Sequence, residues 1–386
     1  MYKKRLVFWA ACIGILFFGM ALTTLGSVVP QLRIRFHLDD ISAGTLFSIL
    51  PFGILMGSLF FGPFCDRYGY RLLLALTCLS MFIGFEGIAY ASSLFILKIC
   101  VFLFGLGGGA INGATNALVS DISEKEKGAN LSLLGVFFAI GALGMPFVLG
   151  VLENVLSYEI ILSIIGIATF IMGAFFLLVK FPPPKHAGGL PVAKSLSLLN
   201  DGVLLLIAFF LFFQSAFEGI INNWTTTYLT GYRHILPGKA LYALSLSVVG
   251  MTIMRLLLGS IFRNTSVKKI WTISLSLLLL GLIFLAQGKS FYPAVTGLIL
   301  IGAGLAAGFP IMLGFVGERF KDLSGTAFSI ALVIALIGNM IINYSMGFIV
   351  QNYGVRHLTT VGFIEFIIMT ILCIAILKKI NKTNKN

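Results

Sequence analysis

Twelve apolar stretches, each bounded by charged or turn-forming clusters, divide this chain. They fall at roughly 6–30, 42–63, 72–91, 94–120, 129–152, 159–180, 202–230, 239–262, 269–287, 291–317, 324–351 and 357–377. About twenty apolar residues in a helix span the ~30 Å hydrocarbon core of a bilayer, and each stretch is about that long or longer. The pattern predicts an all-α membrane protein with twelve transmembrane helices and both termini on one side. Most connections are short. The exception, Phe181 to Asn200, carries Pro182-Pro183-Pro184, Gly188-Gly189 and Pro191 and reads as a linker. The chain then divides into an N-terminal half (1–180), a linker (181–200) and a C-terminal half (201–386).

The halves are related. Shifting the first by 197 residues, without gaps, places Gly53 on Gly250, Gly62 on Gly259, Gly84 on Gly281 and Gly105 on Gly302. Gly107, Gly128, Gly141 and Gly150 likewise meet Gly304, Gly325, Gly338 and Gly347, and Asp121 meets Glu318. Such self-similarity at one fixed offset marks an internal repeat.

Composition narrows the class. With 58% hydrophobic and 11% charged residues, a soluble globular protein is excluded. The formal charge of +13 forms no basic patch interleaved with aromatics, so no nucleic-acid partner is expected. Instead it sits in loops and tails: 19 of the 27 Lys and Arg residues fall on the side bearing the termini, and six on the other. This bias puts both termini in the cytoplasm, and the expected location is a bacterial inner membrane. Lys3-Lys4-Arg5 precedes an apolar run too long for a cleaved signal, which reads as the first helix. Cys12, Cys65, Cys78, Cys100 and Cys373 suggest neither disulfides nor a metal site. With no phosphate-cradling loop and with His37, His186, His234 and His357 all in loops, no enzyme and no cofactor is expected.

The turn between the second and third apolar stretches reads Gly62-x-x-x-Asp66-Arg67-x-Gly69-x-Arg71. It resembles the signature loop of the major facilitator superfamily. The resemblance implies two six-helix halves in parallel repeat, a substrate site near the midplane between them, and transport driven by a gradient. It makes Gly62, Asp66, Arg67, Gly69 and Arg71 gating residues, with Asp66 latching helix ends on the cytoplasmic side. Arg255-x-x-x-Gly259-x-x-x-Arg263 resembles the weaker second copy, which adds Arg255. Read without the resemblance, the same residues are a positive anchor between two helices.

Polar residues inside apolar helices are expensive and mark function. Gln214, Glu218 and Asn222 lie at i, i+4 and i+8, one stripe of the seventh helix, with Trp224 close behind. The run Glu218-x5-Trp224-x3-Tyr228 resembles the seventh helix of fucose/galactose/glucose-permease-like sugar carriers. Asn112 and Asn116 form a stripe on the fourth helix, and Asn339 and Asn343 on the eleventh. Amide pairs suit sugar hydroxyls, with an aromatic ring stacking on the sugar. The competing roles are an interfacial belt for Trp224 and Tyr228, and interhelical glue for the amides. Glu218 is expected to be the coupling or substrate carboxylate. Glu86 and Glu365 are expected to pair between helices or snorkel outward.

These readings converge on a sugar transporter, monomeric in the bilayer, working by proton or sodium symport. A drug or metabolite efflux antiporter is the alternative, favoured by Gly141-Ala-Leu-Gly144-Met-Pro146 on the fifth helix. A transport-dead sensor on the same fold is the third possibility. The topology is directly testable. In a background lacking the native cysteines, Lys185→Cys and Lys239→Cys should label from opposite membrane faces, Lys185→Cys from the cytoplasm. Labelling of both by one impermeant reagent on intact cells would end the twelve-helix reading.

Overall fold

The computed structural model describes residues 2–123, 127–182, 198, 200–262, 265–288, 290–320 and 324–383. Most of the predicted linker, the predicted anchor Arg263 and the side chains at Gly62 and Asp66 lie outside the described residues. The fold is all-helical. Twelve helices are long and apolar enough to cross a membrane: α1 Lys4–Phe36, α2 Asp40–Phe61, α3 Arg67–Tyr90, α4 Leu94–Val119, α5 Leu133–Leu152 and α6 Tyr158–Leu178 come first. Then follow α7 Gly202–Tyr232, α8 Pro237–Gly259, α9 Val267–Gln287, α10 Phe291–Arg319, α11 Ile330–Tyr353 and α12 Val355–Ile380. They form two compact units, Met1–Gly189 and Leu190–Asn386.

Local chemistry sets the ends. A kink near the start of α3 separates it from α2: Gly69 has φ 79° and ψ 169°, a conformation open only to glycine. Asp39 caps α2 by accepting from the Ser42 amide at 2.8 Å, and Gly354, at φ 88°, turns α11 into α12. One helix is broken. In α10 the first segment stops at Leu305 and the second starts at Gly308. Pro310 explains the break, because its ring crowds the Ala306 carbonyl four residues back and its nitrogen cannot bond to it.

The 197-residue repeat reappears as packing. In the first unit, a Cβ on Gly53 would overlap the Phe102 carbonyl, and one on Gly105 the Leu50 carbonyl, where α2 meets α4. In the second, Gly250 meets Ile299 and Gly302 meets Ser247, the same four positions shifted by 197, where α8 meets α10. The α3–α4 crossing repeats too: Gly107 sits on Thr77 and Gly304 on Ser274, with virtual Cβ-to-oxygen distances of 2.7 and 2.8 Å. Without a hydrophobic drive between helices in lipid, such backbone contact is a main source of helix association.

These glycines make a graded prediction. Gly302→Ala and Gly105→Ala force backbones apart and should each lower stability by about 1–3 kcal/mol, the usual cost of overpacking. Gly135→Ala and Gly144→Ala face open space, with nothing within 4 Å of the added carbon, and should be tolerated. Thermal unfolding of detergent-solubilised protein distinguishes the two pairs; equal losses at all four sites would contradict this packing.

Candidate functional site

The predicted polar stripes separate into open and closed ones. On α4, Asn116 is exposed and Asn112 half-buried, and the Asn116 amide donates to the Asn112 side-chain and backbone oxygens at 3.1 and 2.9 Å. On α7, Glu218 and Asn222 are half-buried, and neither has a hydrogen-bond partner among the described residues. The Arg255 guanidinium of α8 acts on Glu218 electrostatically. These four residues keep unused hydrogen-bonding capacity on open faces.

The rest turn inward. Gln214 is 1% exposed; its amide donates to the Leu305 carbonyl at 2.9 Å, at the break in α10. Gly308 makes room for it, since a Cβ there would overlap the Gln214 amide. Asn339, Asn343 and Asn223 form a chain between α7 and α11. The Asn223 amide donates to Asn343 Oδ1 at 3.0 Å, Asn343 to Asn339 Oδ1 at 3.0 Å, and Asn339 to the Ser215 carbonyl at 2.8 Å. Gly219 leaves space for both amides. Trp224 and Tyr228 are fully buried rather than at an interface, and Tyr228 donates to the Leu285 carbonyl at 3.1 Å. Within the second unit Gln214, Asn223, Asn339, Asn343 and Tyr228 bond helix to helix. Glu86 does likewise in the first, accepting from Ser163 of α6 at 2.9 Å.

Among the predicted gating residues, Arg67 and Arg71 are exposed, with the Arg67 guanidinium over the Tyr68 ring at 5.2 Å. The buried partner in this turn is Tyr70, unmarked by the sequence motif, whose hydroxyl donates to Asp121 at the end of α4 at 2.9 Å. Two further arginines escaped notice. Arg35, at the end of α1, donates to the carbonyls of Ala89 and, at 2.8 Å, Ala91, which close α3. Arg233, at the end of α7, donates to the carbonyls of Ala286 and, at 3.2 Å, Leu285, which close α9. Ala286 is Ala89 shifted by 197, so both units cap their third helix with an arginine from their first. Cations suit helix C-termini. The available signal was the offset between Arg35 and Arg233, 198 residues, close to that of the glycines.

A match to the family model of the Major Facilitator Superfamily covers residues 11–342. The chain belongs to the major facilitator superfamily. It is a multi-pass membrane transporter and not an enzyme. It is 24% identical to the glucose/mannose transporter GlcP of Bacillus subtilis, over 95% of this chain and 92% of the relative. To the multidrug resistance protein MdtG of Proteus mirabilis it is 25% identical, over 92% of each. Among solved structures, the nucleoside transporter NupG superposes with a TM-score of 0.78 at 17% identity, covering 98% of this chain and 99% of that one. The D-xylose-proton symporter gives 0.77 at 16%, with 97% of each chain covered.

One ionic contact ties the ends of α7 and α10. Asp201 caps α7, accepting from the Val203 and Leu204 amides at 2.8 and 3.0 Å, and pairs with Arg319 at 2.8 Å. Burial pushes its carboxyl up, but the Arg319 guanidinium and the two amides outweigh this and hold it below the usual carboxylate range. A lowered folded value means the pair stabilises at neutral pH and stops doing so as pH falls through that value. Arg319→Gln should therefore lower thermal stability at neutral pH, by at most about 1 kcal/mol for so exposed a pair. In acid, below the ordinary Asp range near about 4, the gap to wild type should close. A gap that widens in acid would contradict the assignment.

Proposed function

We propose that the transporter takes up a neutral sugar or similar polyol by cation symport, with both termini in the cytoplasm of a bacterial inner membrane. The observation that carries this reading is the pair of open polar stripes, Asn112/Asn116 on α4 and Glu218/Asn222 on α7. In a bilayer a lipid-facing surface should be apolar, so amides and a carboxylate left open suit a polar solute. Amides offer both donors and acceptors and a carboxylate offers acceptors, which suits hydroxyls. The likeness to a glucose/mannose carrier supports the same substrate class. Within the second unit Glu218 accepts from substrate hydroxyls, with Arg255 acting on it electrostatically and Asn222 beside it on the stripe; Asn112 and Asn116 offer their amides within the first unit. Gln214, Asn339 and Asn343 act one step back, holding α7 against α10 and α11, and Trp224 is buried.

The likeness to a multidrug resistance protein favours a second reading, efflux of an apolar compound. Counterflow in proteoliposomes over a panel of sugars and lipophilic cations separates the two. Glucose-type sugars should exchange and the cations should not. Glu218→Gln and Asn222→Ala should raise the KM for the accepted sugar about tenfold or more, the loss of one charged hydrogen bond, while the protein still folds. Exchange of lipophilic cations alone, or wild-type KM in both variants, would reject this reading.

A further inference from the structure

Glu365 lies ten residues into α12, about 15 Å from its Val355 end and so near mid-depth. It is 2% exposed, and neither carboxylate oxygen has a hydrogen-bond partner among the described residues. It neither pairs nor snorkels, as the sequence had suggested it would. Gly362, three residues earlier, sits against Leu282 of α9 and Phe217 of α7; a Cβ there would lie 2.9 and 3.4 Å from them. Positions three apart share a helix face, so Glu365 points into the packing of α7 and α9.

Those helices bring it no cation at that depth. From α7 come Glu218, an acid itself, and Tyr228, whose hydroxyl donates to Leu285 and accepts from Arg233 at the helix end. From α9 come Lys268 and Lys269, both exposed at its start, and α12 adds Arg356, His357, Lys378 and Lys379 only near its ends. An ionised carboxylate would be an unpaired charge in an apolar core, which costs far more than carrying a proton. Further along α9 lie two more buried polar atoms without partners, Ser274 Oγ and Trp271 Nε1, and the Trp271 ring stands edge-on to Phe210 of α7 at 5.0 Å. Both lie toward the lysine-bearing end of α9. Glu86 differs, since Ser163 satisfies one of its oxygens.

We propose that Glu365 is a proton-binding site of the transporter, separate from the Glu218 stripe. Its carboxyl carries the proton while α7, α9 and α12 are packed. When they part, the O–H proton passes to water, and the electron pair stays on the carboxylate. The inference rests on the symport reading above and names its coupling ion, the proton.

Two measurements test it. Infrared spectra of the protein in lipid nanodiscs at neutral pH should contain the C=O stretch of a buried protonated carboxyl, shifting in D2O. The band should vanish in Glu365→Gln and persist in Glu218→Gln. Identical wild-type and Glu365→Gln spectra would overturn the proposal without reference to any substrate. Should Glu365→Gln fail to fold, Glu365→Asp must move the band, and an unmoved band is equally decisive against it. In proteoliposomes with an entrapped pH dye, addition of D-glucose or D-xylose should acidify the lumen. Glu365→Gln should cut that signal at least tenfold and still exchange sugar, whereas Glu218→Gln should weaken sugar binding. Undiminished acidification in Glu365→Gln would overturn the proposal. If the wild type moves no sugar at all, the sugar reading falls, and the infrared result alone decides Glu365.

Discussion

The close approach of one helix to another at a glycine governs this fold at every level. A bilayer offers helices no hydrophobic reason to prefer each other over lipid, so association depends on contact area and on backbones drawing near. The α2–α4 and α8–α10 crossings reach the limit, with Gly53 and Gly105 in one unit and Gly250 and Gly302 in the other lying against carbonyls. The same absence of a Cβ lets polar side chains inside. Gly308 receives the Gln214 amide, Gly219 the amides of Asn339 and Asn343, and Gly166 the Glu86 carboxylate. Each buried polar group met by a glycine reaches a neighbouring helix without displacing packed carbon.

That principle also separates the two kinds of polar residue in the membrane. Asn339, Asn343, Asn223 and Gln214 have partners on other helices and serve cohesion. Glu218, Asn222 and Asn112 are half-buried and Asn116 exposed, and only under the proposed function is a solute their partner. The seventh helix carries both kinds within one stripe, because Gln214 reaches across to α10 while Glu218 and Asn222, four and eight residues later, do not.

Much of this was legible in the sequence. Helix number, the signature turn and the repeat follow from apolar run lengths and glycine spacing, which act through local geometry. The division of polar residues was not legible, since i, i+4 spacing fixes a stripe but not which helix it faces. Asn339 and Asn343 looked no different from Asn112 and Asn116 until α7 was seen beside them. The break in α10 could have been read from Pro310 and Gly308, but the unbroken apolar run masked it. The isolation of Glu365 could not, because it depends on what α7 and α9 fail to bring.

The arginine caps bear on how the chain enters a membrane. Arg35 must reach its side of the bilayer at the end of α1, yet its acceptors lie 54 and 56 residues further along, at the end of α3. Arg233 likewise precedes its acceptors by 52 and 53 residues. During insertion each arginine has only neighbours on its own helix, Phe36 for Arg35 and Tyr228 and Tyr232 for Arg233, until the third helix of its unit arrives to supply carbonyls. Biogenesis therefore acquires an order: each first helix can be fixed at that end only after two more have been threaded. A nascent chain interrupted between α2 and α3, or between α8 and α9, would lack the carbonyls that cap these arginines.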